Sequence, residues 1–371
     1  MRIWGVTGTN GKTTVTWMTA EFMGAAYLTT VEANTLKRRF STGYTTPPLA
    51  QLEEIFAEME ANGAKDCVME VSSHAIHQNR TGATVFAGGA FTNLSEDHLD
   101  YHKTMEEYFR VKLSFAEKIA SQHAAANGAA SADAGRKDFP PFVVCTDGGY
   151  GREMLDAAGR FALNVIPVSF RNPRFDLSGF RLAGDYNKSN VLVAAALAEA
   201  SGVPHGDIQR MIPLLRPRWG RLEPVAADCD ADVYVDYAHT PDGLEKVLAA
   251  ARGFTRGRLW VVFGAGGDRD RKKRPLMGDA CARLADRLVV TSDNPRSEDP
   301  EAIIAEVMAG VGGRGGVETI PDRREAIFTA LRGAKRGDTV LVCGKGHETY
   351  QEIKGVKHPF DDRETVRAFR R

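Results

Sequence analysis

Short apolar runs alternate with helical stretches along almost the whole chain, at residues 3–6, 66–69, 88–92, 142–145, 165–168, 233–237, 260–263, 288–291 and 340–343. Alternation at this spacing predicts parallel sheets covered by helices. Several of these runs lead straight into Gly, Ser or Asp, which points to ligand sites at the carboxyl ends of the strands. With 371 residues, 43% hydrophobic and 26% charged, the chain can bury the cores of two or three domains, and disorder, collagen and coiled coil are excluded as its main state. The alternation breaks around Pro213, Pro217 and Gly220, between helical stretches at 190–201 and 207–215 and a strand series starting near Val225. This places the junction at 215–222 and predicts two α/β domains, residues 1–215 and 216–371. The Ala-, Gly- and Ser-rich stretch 120–141 reads as a helix end followed by a flexible loop. No repeat of fixed period is present.

Lys plus Arg and Asp plus Glu number 48 each, so no basic face invites nucleic acid as a partner. Five cysteines are scattered without CxxC spacing, which argues against a disulfide framework or a zinc site and for reduced thiols in a cytoplasm. The N-terminal residues read as a strand entering a glycine loop rather than as a signal peptide, and the later apolar runs are too short to cross a bilayer. A soluble cytoplasmic protein with no membrane partner is the expectation. Trp4, Trp17, Trp219 and Trp260 are expected to pack rather than to form substrate platforms, and Arg370-Arg371 to be a solvated end.

Gly8-Thr9-Asn10-Gly11-Lys12-Thr13-Thr14 lies between a strand and a helical stretch (15–23), the context that a phosphate-binding loop needs. Its glycines let backbone N–H groups approach phosphates, Lys12 supplies a point charge, and the Thr13 hydroxyl suits Mg²⁺. Val6 stands where the usual loop has its first glycine, so the loop is a variant. A second strand ends at Glu70, a natural Mg²⁺ partner beside phosphates, although a strand-end acid is common. A third is followed by Asn93-Leu94-Ser95-Glu96-Asp97-His98, which taken alone also fits a capped helix start.

Taken together with Glu70-Val71-Ser72-Ser73-His74, Gly184-Asp185-Tyr186-Asn187-Lys188-Ser189-Asn190, Val235-Asp236-Tyr237-Ala238-His239, Gly264-Ala265-Gly266-Gly267-Asp268-Arg269, Asp293-Asn294-Pro295-Arg296 and Gly344-Lys345-Gly346-His347-Glu348, these motifs resemble the ATP-dependent Mur ligases of peptidoglycan synthesis, nearest to the diaminopimelate-adding members. The resemblance implies a phosphate-loop ATPase domain with a mostly parallel sheet, followed by a Rossmann-like α/β domain that binds the amino acid. It implies a reaction in which ATP converts an acceptor carboxylate to an acyl phosphate, which an amine then attacks. Thr9, Asn10, Gly11, Lys12, Thr13, Thr14 and Asn190, with Arg221, Asp236, His239 and Lys273 from the second domain, would bind the nucleotide. Lys12, Glu70, His98 and Lys112 would form the catalytic set. Thr13, Glu70, His98 and Lys112, the last as a carbamate, would organise Mg²⁺; carbamylation turns a cation into a carboxylate. Thr45, Thr46, Ser72, Gln78 and Arg80 match acceptor-binding positions. Arg269, Asp293, Asn294, Arg296, Gly344 and Glu348 match the amino-acid site, where arginine forks suit a carboxylate and Glu348 an ammonium, so the implied amine is meso-diaminopimelate.

The chain starts at the first strand of the ATP domain, where family members first have a domain for the uridine nucleotide. The segment 170–184 is short for the family, and 27–42 lacks its usual glycine-containing run. Three readings follow: a ligase for a smaller or differently tethered γ-glutamyl acceptor; the ordinary wall reaction, with a nucleotide-binding domain dispensable or supplied by a partner chain; and a non-catalytic sensor of ATP and wall peptide. Closure of the second domain over the nucleotide about residues 215–222 is also expected.

Overall fold

A computed structural model describes residues 1–127 and 138–371. The chain divides into two compact units, Met1–Arg181 with Asp185–Leu215, and Leu182–Gly184 with Arg216–Arg371.

The strands of the first unit are β1 (Arg2–Thr7), β2 (Ala26–Leu28), β3 (Ala33–Asn34), β4 (Arg39–Phe40), β5 (Asp66–Glu70), β6 (Phe86–Phe91), β7 (Pro141–Cys145) and β8 (Asn164–Val168). Among the described residues they form one sheet in the order β4-β3-β2-β5-β1-β6-β7-β8, parallel from β2 to β8 and antiparallel at β3 and β4. The helices are α1 (Lys12–Met23), α2 (Leu49–Ala61), α3 (Ser73–His77), α4 (Leu99–His102), α5 (Met105–Asn127), α6 (Gly151–Ala158), α7 (Asp185–Ala200) and α8 (His205–Met211). The central strands β1, β5 and β6 are apolar along their middles, with polar residues such as Asp66 and Glu70 at their ends, because helices cover both faces. One core joins Leu52, Met59, Met69, Phe91, Phe115 and Phe142, while α1 packs on α7.

In register, Val6 lies beside Glu70 and Thr7 beside Phe91. The loops leaving β1, β5 and β6 therefore emerge side by side at one sheet edge. The helix end expected within 120–141 is the last part of α5, which runs to Asn127; the loop expected after it falls largely on residues 128–137, outside the described residues.

The second unit has β9 (Glu223–Pro224), β10 (Asp232–Asp236), β11 (Leu259–Phe263), β12 (Arg287–Val290), β13 (Val317–Thr319) and β14 (Thr339–Cys343) in the order β13-β12-β11-β14-β10-β9, parallel except at β9, plus a hairpin of β15 (Tyr350–Ile353) and β16 (Val356–Pro359). Its helices are α9 (Pro241–Arg252), α10 (Lys273–Leu284), α11 (Pro300–Val311), α12 (Arg323–Gly333) and α13 (Asp362–Ala368). Strand alternation sorts β11 between two cores: Leu259, Val261 and Phe263 pack with Leu244, Met277 and Val307, and Trp260 and Val262 with Ile327, Leu331 and Phe369.

Trp4, Trp17 and Trp260 are buried, with indole N–H groups donated to Asp66, Glu21 and Asp338; Trp219 is half-buried in the left-handed region. Arg371 is exposed and pairs with Asp230 at 2.6 Å. All five cysteines are free thiols. Among the described residues no helix is long and apolar enough to cross a membrane.

Candidate active site

The loop between β1 and α1 is shaped by two glycines. Gly8 has φ 145° and a Cβ there would lie 1.9 Å from Thr92 Oγ1; Gly11 has φ 83° and a Cβ would lie 2.4 Å from Asn190 Oδ1. Neither position tolerates a side chain without rearrangement. Thr9 and Asn10 are tied to the loop after β6, through Thr9 N–H on the Asn93 carbonyl at 2.8 Å and Asn10 N–H on Asn93 Oδ1 at 3.0 Å. Gly11 is followed at once by helix α1, whose first-turn N–H groups, at Lys12, Thr13 and Thr14, point back toward the loop as at any helix N-terminus. Lys12 Nζ donates to the Gly8 and Thr9 carbonyls at 3.0 and 2.8 Å, and Thr13 and Thr14 are buried. Asn190, on α7, is buried beside Asn187.

Glu70, at the end of β5, is 1% exposed. Its Oε1 accepts Thr30 N–H at 2.7 Å and its Oε2 the Thr30 hydroxyl at 3.1 Å, which fixes the carboxylate. Lys112, on α5, is fully buried and donates to the Gly8 carbonyl at 2.8 Å. Burial, with repulsion from Lys12 second and attraction to Asp97 opposing, holds its pKa well below the ordinary lysine range. His98 adopts φ 55°, its backbone N–H donates to Asp97 Oδ1 at 2.9 Å, and its ring stands 4.8 Å from that of His74. His102 stacks on Tyr108, whose hydroxyl lies 3.1 Å from Thr9 Oγ1, and burial pushes the His102 pKa down to about 4.

The acceptor set shares this edge. The Thr46 hydroxyl donates to the Glu70 carbonyl at 2.9 Å and receives Ser72 N–H at 3.0 Å, while Thr45 Oγ1 lies 3.0 Å from Thr30 Oγ1. Arg80 donates to Gln78 Oε1 at 2.8 Å, and Gln78 to the Tyr101 hydroxyl at 3.2 Å. Thr30, Tyr101 and Tyr108 are brought to the site by the tertiary fold, Thr30 from the loop after β2 and the two tyrosines from α4 and α5.

In the second unit, Asp236 ends β10 with its carboxylate accepting N–H groups of Leu222 at 2.6 Å and Ala238 at 2.8 Å; burial raises its pKa. Arg221 lies over the Tyr237 ring at 4.7 Å, and the His239 ring is 4.6 Å from the same ring. Lys273 opens α10. The six residues of the amino-acid set lie on three neighbouring loops. Asn294 donates to Glu348 Oε2 at 2.8 Å, Arg296 Nη1 to the Gly267 carbonyl at 2.6 Å, and Arg269 to the Asp268 carbonyl at 3.1 Å. Gly344 N–H donates to the Asp236 carbonyl at 3.1 Å, and Asp293 Oδ2 is buried with no hydrogen bond.

Among the described residues no three His, Cys, Asp or Glu side chains converge to cage a metal. A hydroxyl, one carboxylate and one imidazole at a phosphate loop nevertheless fit Mg²⁺, which takes few protein ligands and completes its shell with phosphate oxygens and water.

A central strand feeding a glycine loop and helix, flanked by strand-end Glu70 and the Asp97-His98 loop, defines a phosphate-loop α/β protein. Residues 6–198 match the family model for the Mur ligase middle domain, and residues 220–346 that for the Mur ligase glutamate ligase domain. The chain is 41% identical to the UDP-N-acetylmuramoyl-L-alanyl-D-glutamate--2,6-diaminopimelate ligase of Synechococcus elongatus, covering 99% of this chain and 76% of that protein. To the enzyme of the same name from Aquifex aeolicus it is 40% identical, over 99% of this chain and 77% of the other. A solved structure of such a ligase matches with TM-score 0.61 and 33% identity, over 99% of this chain and 77% of that one. MurF from Acinetobacter baumannii shares the fold, with TM-score 0.65, at 15% identity over 92% and 73% of the two chains. The chain belongs to the Mur ligase family. It is an ATP-dependent acid–amino-acid ligase of peptidoglycan synthesis, standing with the diaminopimelate ligases, and the sensor alternative gives way.

Proposed function

We propose that the chain joins meso-diaminopimelate to the glutamate end of UDP-N-acetylmuramoyl-L-alanyl-D-glutamate, in the cytoplasm, by way of an acyl phosphate. The relatives' names print this acceptor, so it replaces the smaller acceptor expected from the sequence as the first reading. The observation that carries the chemistry is the strand register, with Val6 beside Glu70 and Thr7 beside Phe91, which gathers the phosphate loop, a buried carboxylate and the His98 loop at one edge.

In this reading the loop amides and Lys12 hold the ATP phosphates, with Asn190 on the adenine side. Arg221, Asp236, His239 and Lys273 are the second unit's contribution to the nucleotide. Thr13, Glu70, His98 and Lys112 hold Mg²⁺, which when bound offsets charge on the transferring phosphoryl group. Lys112 suits carbamylation because burial disfavours its charged form, and the uncharged amine is the form that attacks carbon dioxide. Thr45, Thr46, Ser72, Gln78 and Arg80 orient the acceptor so that its carboxylate oxygen faces the γ-phosphorus. Arg269 and Arg296 take the distal carboxylate of diaminopimelate, and Asp293, Asn294, Gly344 and Glu348 its distal ammonium.

The test is phosphate release from Mg-ATP with meso-diaminopimelate, with UDP-muramoyl-Ala-γ-Glu, muramoyl-Ala-γ-Glu and Ala-γ-Glu compared as acceptors and the amide confirmed by mass. Turnover with the UDP-linked acceptor at the highest kcat/KM is the expected result. Turnover confined to the nucleotide-free acceptors would overturn the acceptor assignment.

A further inference from the structure

The amino-acid site contains a cation that the roles assigned above leave unused. Lys345 is 0% exposed, and its Nζ lies 3.1 Å from Asn294 Oδ1 and 3.2 Å from Glu348 Oε2. Asn294 donates its Nδ2–H to the same Glu348 oxygen at 2.8 Å, so the three side chains close a triangle. The Tyr350 ring lies 5.6 Å from the ammonium. Lysine is almost never fully buried unless paired, and burying it is expensive, so a placement directly on two proposed substrate ligands calls for a reason.

A charge count supplies it. Arg269, Arg296 and Lys345 are cations, and Asp293, Glu348 and Glu352 anions; the Arg323–Asp362 pair behind Asp293 cancels internally at 2.7 Å. Over these side chains the charges balance with Lys345 and sum to −1 without it. Neither arginine is idle: Arg296 Nη1 is held on the Gly267 carbonyl at 2.6 Å with its Nε 3.6 Å from Glu352, and Arg269 is on the Asp268 carbonyl. The distal end of diaminopimelate is a zwitterion, whereas that of lysine is a lone ammonium. A neutral pocket accepts the former, and a pocket at −1 attracts the latter and repels a carboxylate.

We infer that Lys345 is a specificity-determining residue, which balances Glu348 so that the pocket selects a zwitterionic distal centre over a cationic one. This rests on the amino-acid site proposed above.

The experiment compares kcat/KM for meso-diaminopimelate and L-lysine in the wild type, Lys345→Met, Lys345→Arg, the double variant Lys345→Met/Glu348→Gln and Arg296→Ala. Because the ratio of the two constants is taken within one preparation, partial loss of folded enzyme cancels. Lys345→Met is expected to lower the diaminopimelate-to-lysine ratio about tenfold or more, as a unit charge does at this range in a partly screened site. Lys345→Arg is expected to hold the ratio within about threefold, and the double variant, neutral again, to bring it back toward wild type. A Lys345→Met ratio within about twofold of wild type would overturn the inference, as would equal losses in Lys345→Arg and Lys345→Met. If Lys345→Met is inactive, a double-variant ratio as low as that of Arg296→Ala overturns it and a restored ratio supports it. Arg296→Ala separates the two claims: if it leaves the ratio unchanged, the site assignment itself fails, whereas a fall there with no change in Lys345→Met removes the inference alone.

Discussion

Lys112 Nζ donates to the Gly8 carbonyl across 2.8 Å, joining the N-terminal half of the long helix α5 to the first residue of the phosphate loop. Desolvation, with repulsion from Lys12 second, disfavours the charged form of an amine so placed. Lys112→Ala is expected to lower kcat at least 100-fold while the protein remains folded. In ¹³C-bicarbonate the wild type should show a carbamate resonance that the variant lacks, and carbon dioxide depletion should slow the wild type alone.

Gly8→Ala introduces a Cβ 1.9 Å from Thr92 Oγ1 at a φ of 145°. The strain is about 1–3 kcal/mol. Nucleotide affinity, read by fluorescence titration with an ATP analogue, should fall at least tenfold, with thermal unfolding shifted down by about 2–10 °C.

Arg323 is 2% exposed and gripped by Asp362 through two contacts at 2.7 Å, with a further bond to the Cys343 carbonyl at 2.9 Å. Arg323→Met leaves Asp362 buried without its partner and should destabilise the protein by about 3–5 kcal/mol in denaturant titration. Replacing both members by apolar residues should cost clearly less.

These contacts mark how far the sequence could be read. Strands such as β11 were legible because both faces are apolar, and the phosphate loop because strand, glycines, Lys12 and helix follow in order. Helix α7 begins at Asp185 rather than near Asn190, since its first turn, Asp-Tyr-Asn-Lys, has no apolar period. The two- and three-residue strands β2, β3 and β4 are too short to show alternation. The Thr30 clasp on Glu70 joins residues 40 apart in sequence, and Lys345 meets Asn294 across 51, so neither was visible before the sheet register was known. The burial of Lys112 is likewise tertiary, because its neighbours on α5 alternate in polarity.

Glu298 shows the effect of pH. The Arg274 guanidinium, bonded to both its oxygens at 2.7 and 2.8 Å, draws its pKa down to about 2. A depressed carboxylate stabilises the fold above its unfolded value of about 4.5 and loses that contribution as pH falls toward about 2. Discounted for partial solvation, the contribution is about 1 kcal/mol. Glu298→Gln should therefore be less stable than wild type at neutral pH, with the gap narrowing between pH 5 and pH 3 in parallel denaturant titrations.

Activation of the acceptor carboxylate as an acyl phosphate is tested most directly by isotope transfer. UDP-muramoyl-Ala-γ-Glu labelled with ¹⁸O in its γ-carboxylate is turned over with ATP and meso-diaminopimelate, and the released phosphate is analysed by mass. The account predicts one labelled oxygen in phosphate for each amide formed from fully labelled carboxylate. Amide formation with unlabelled phosphate would contradict it.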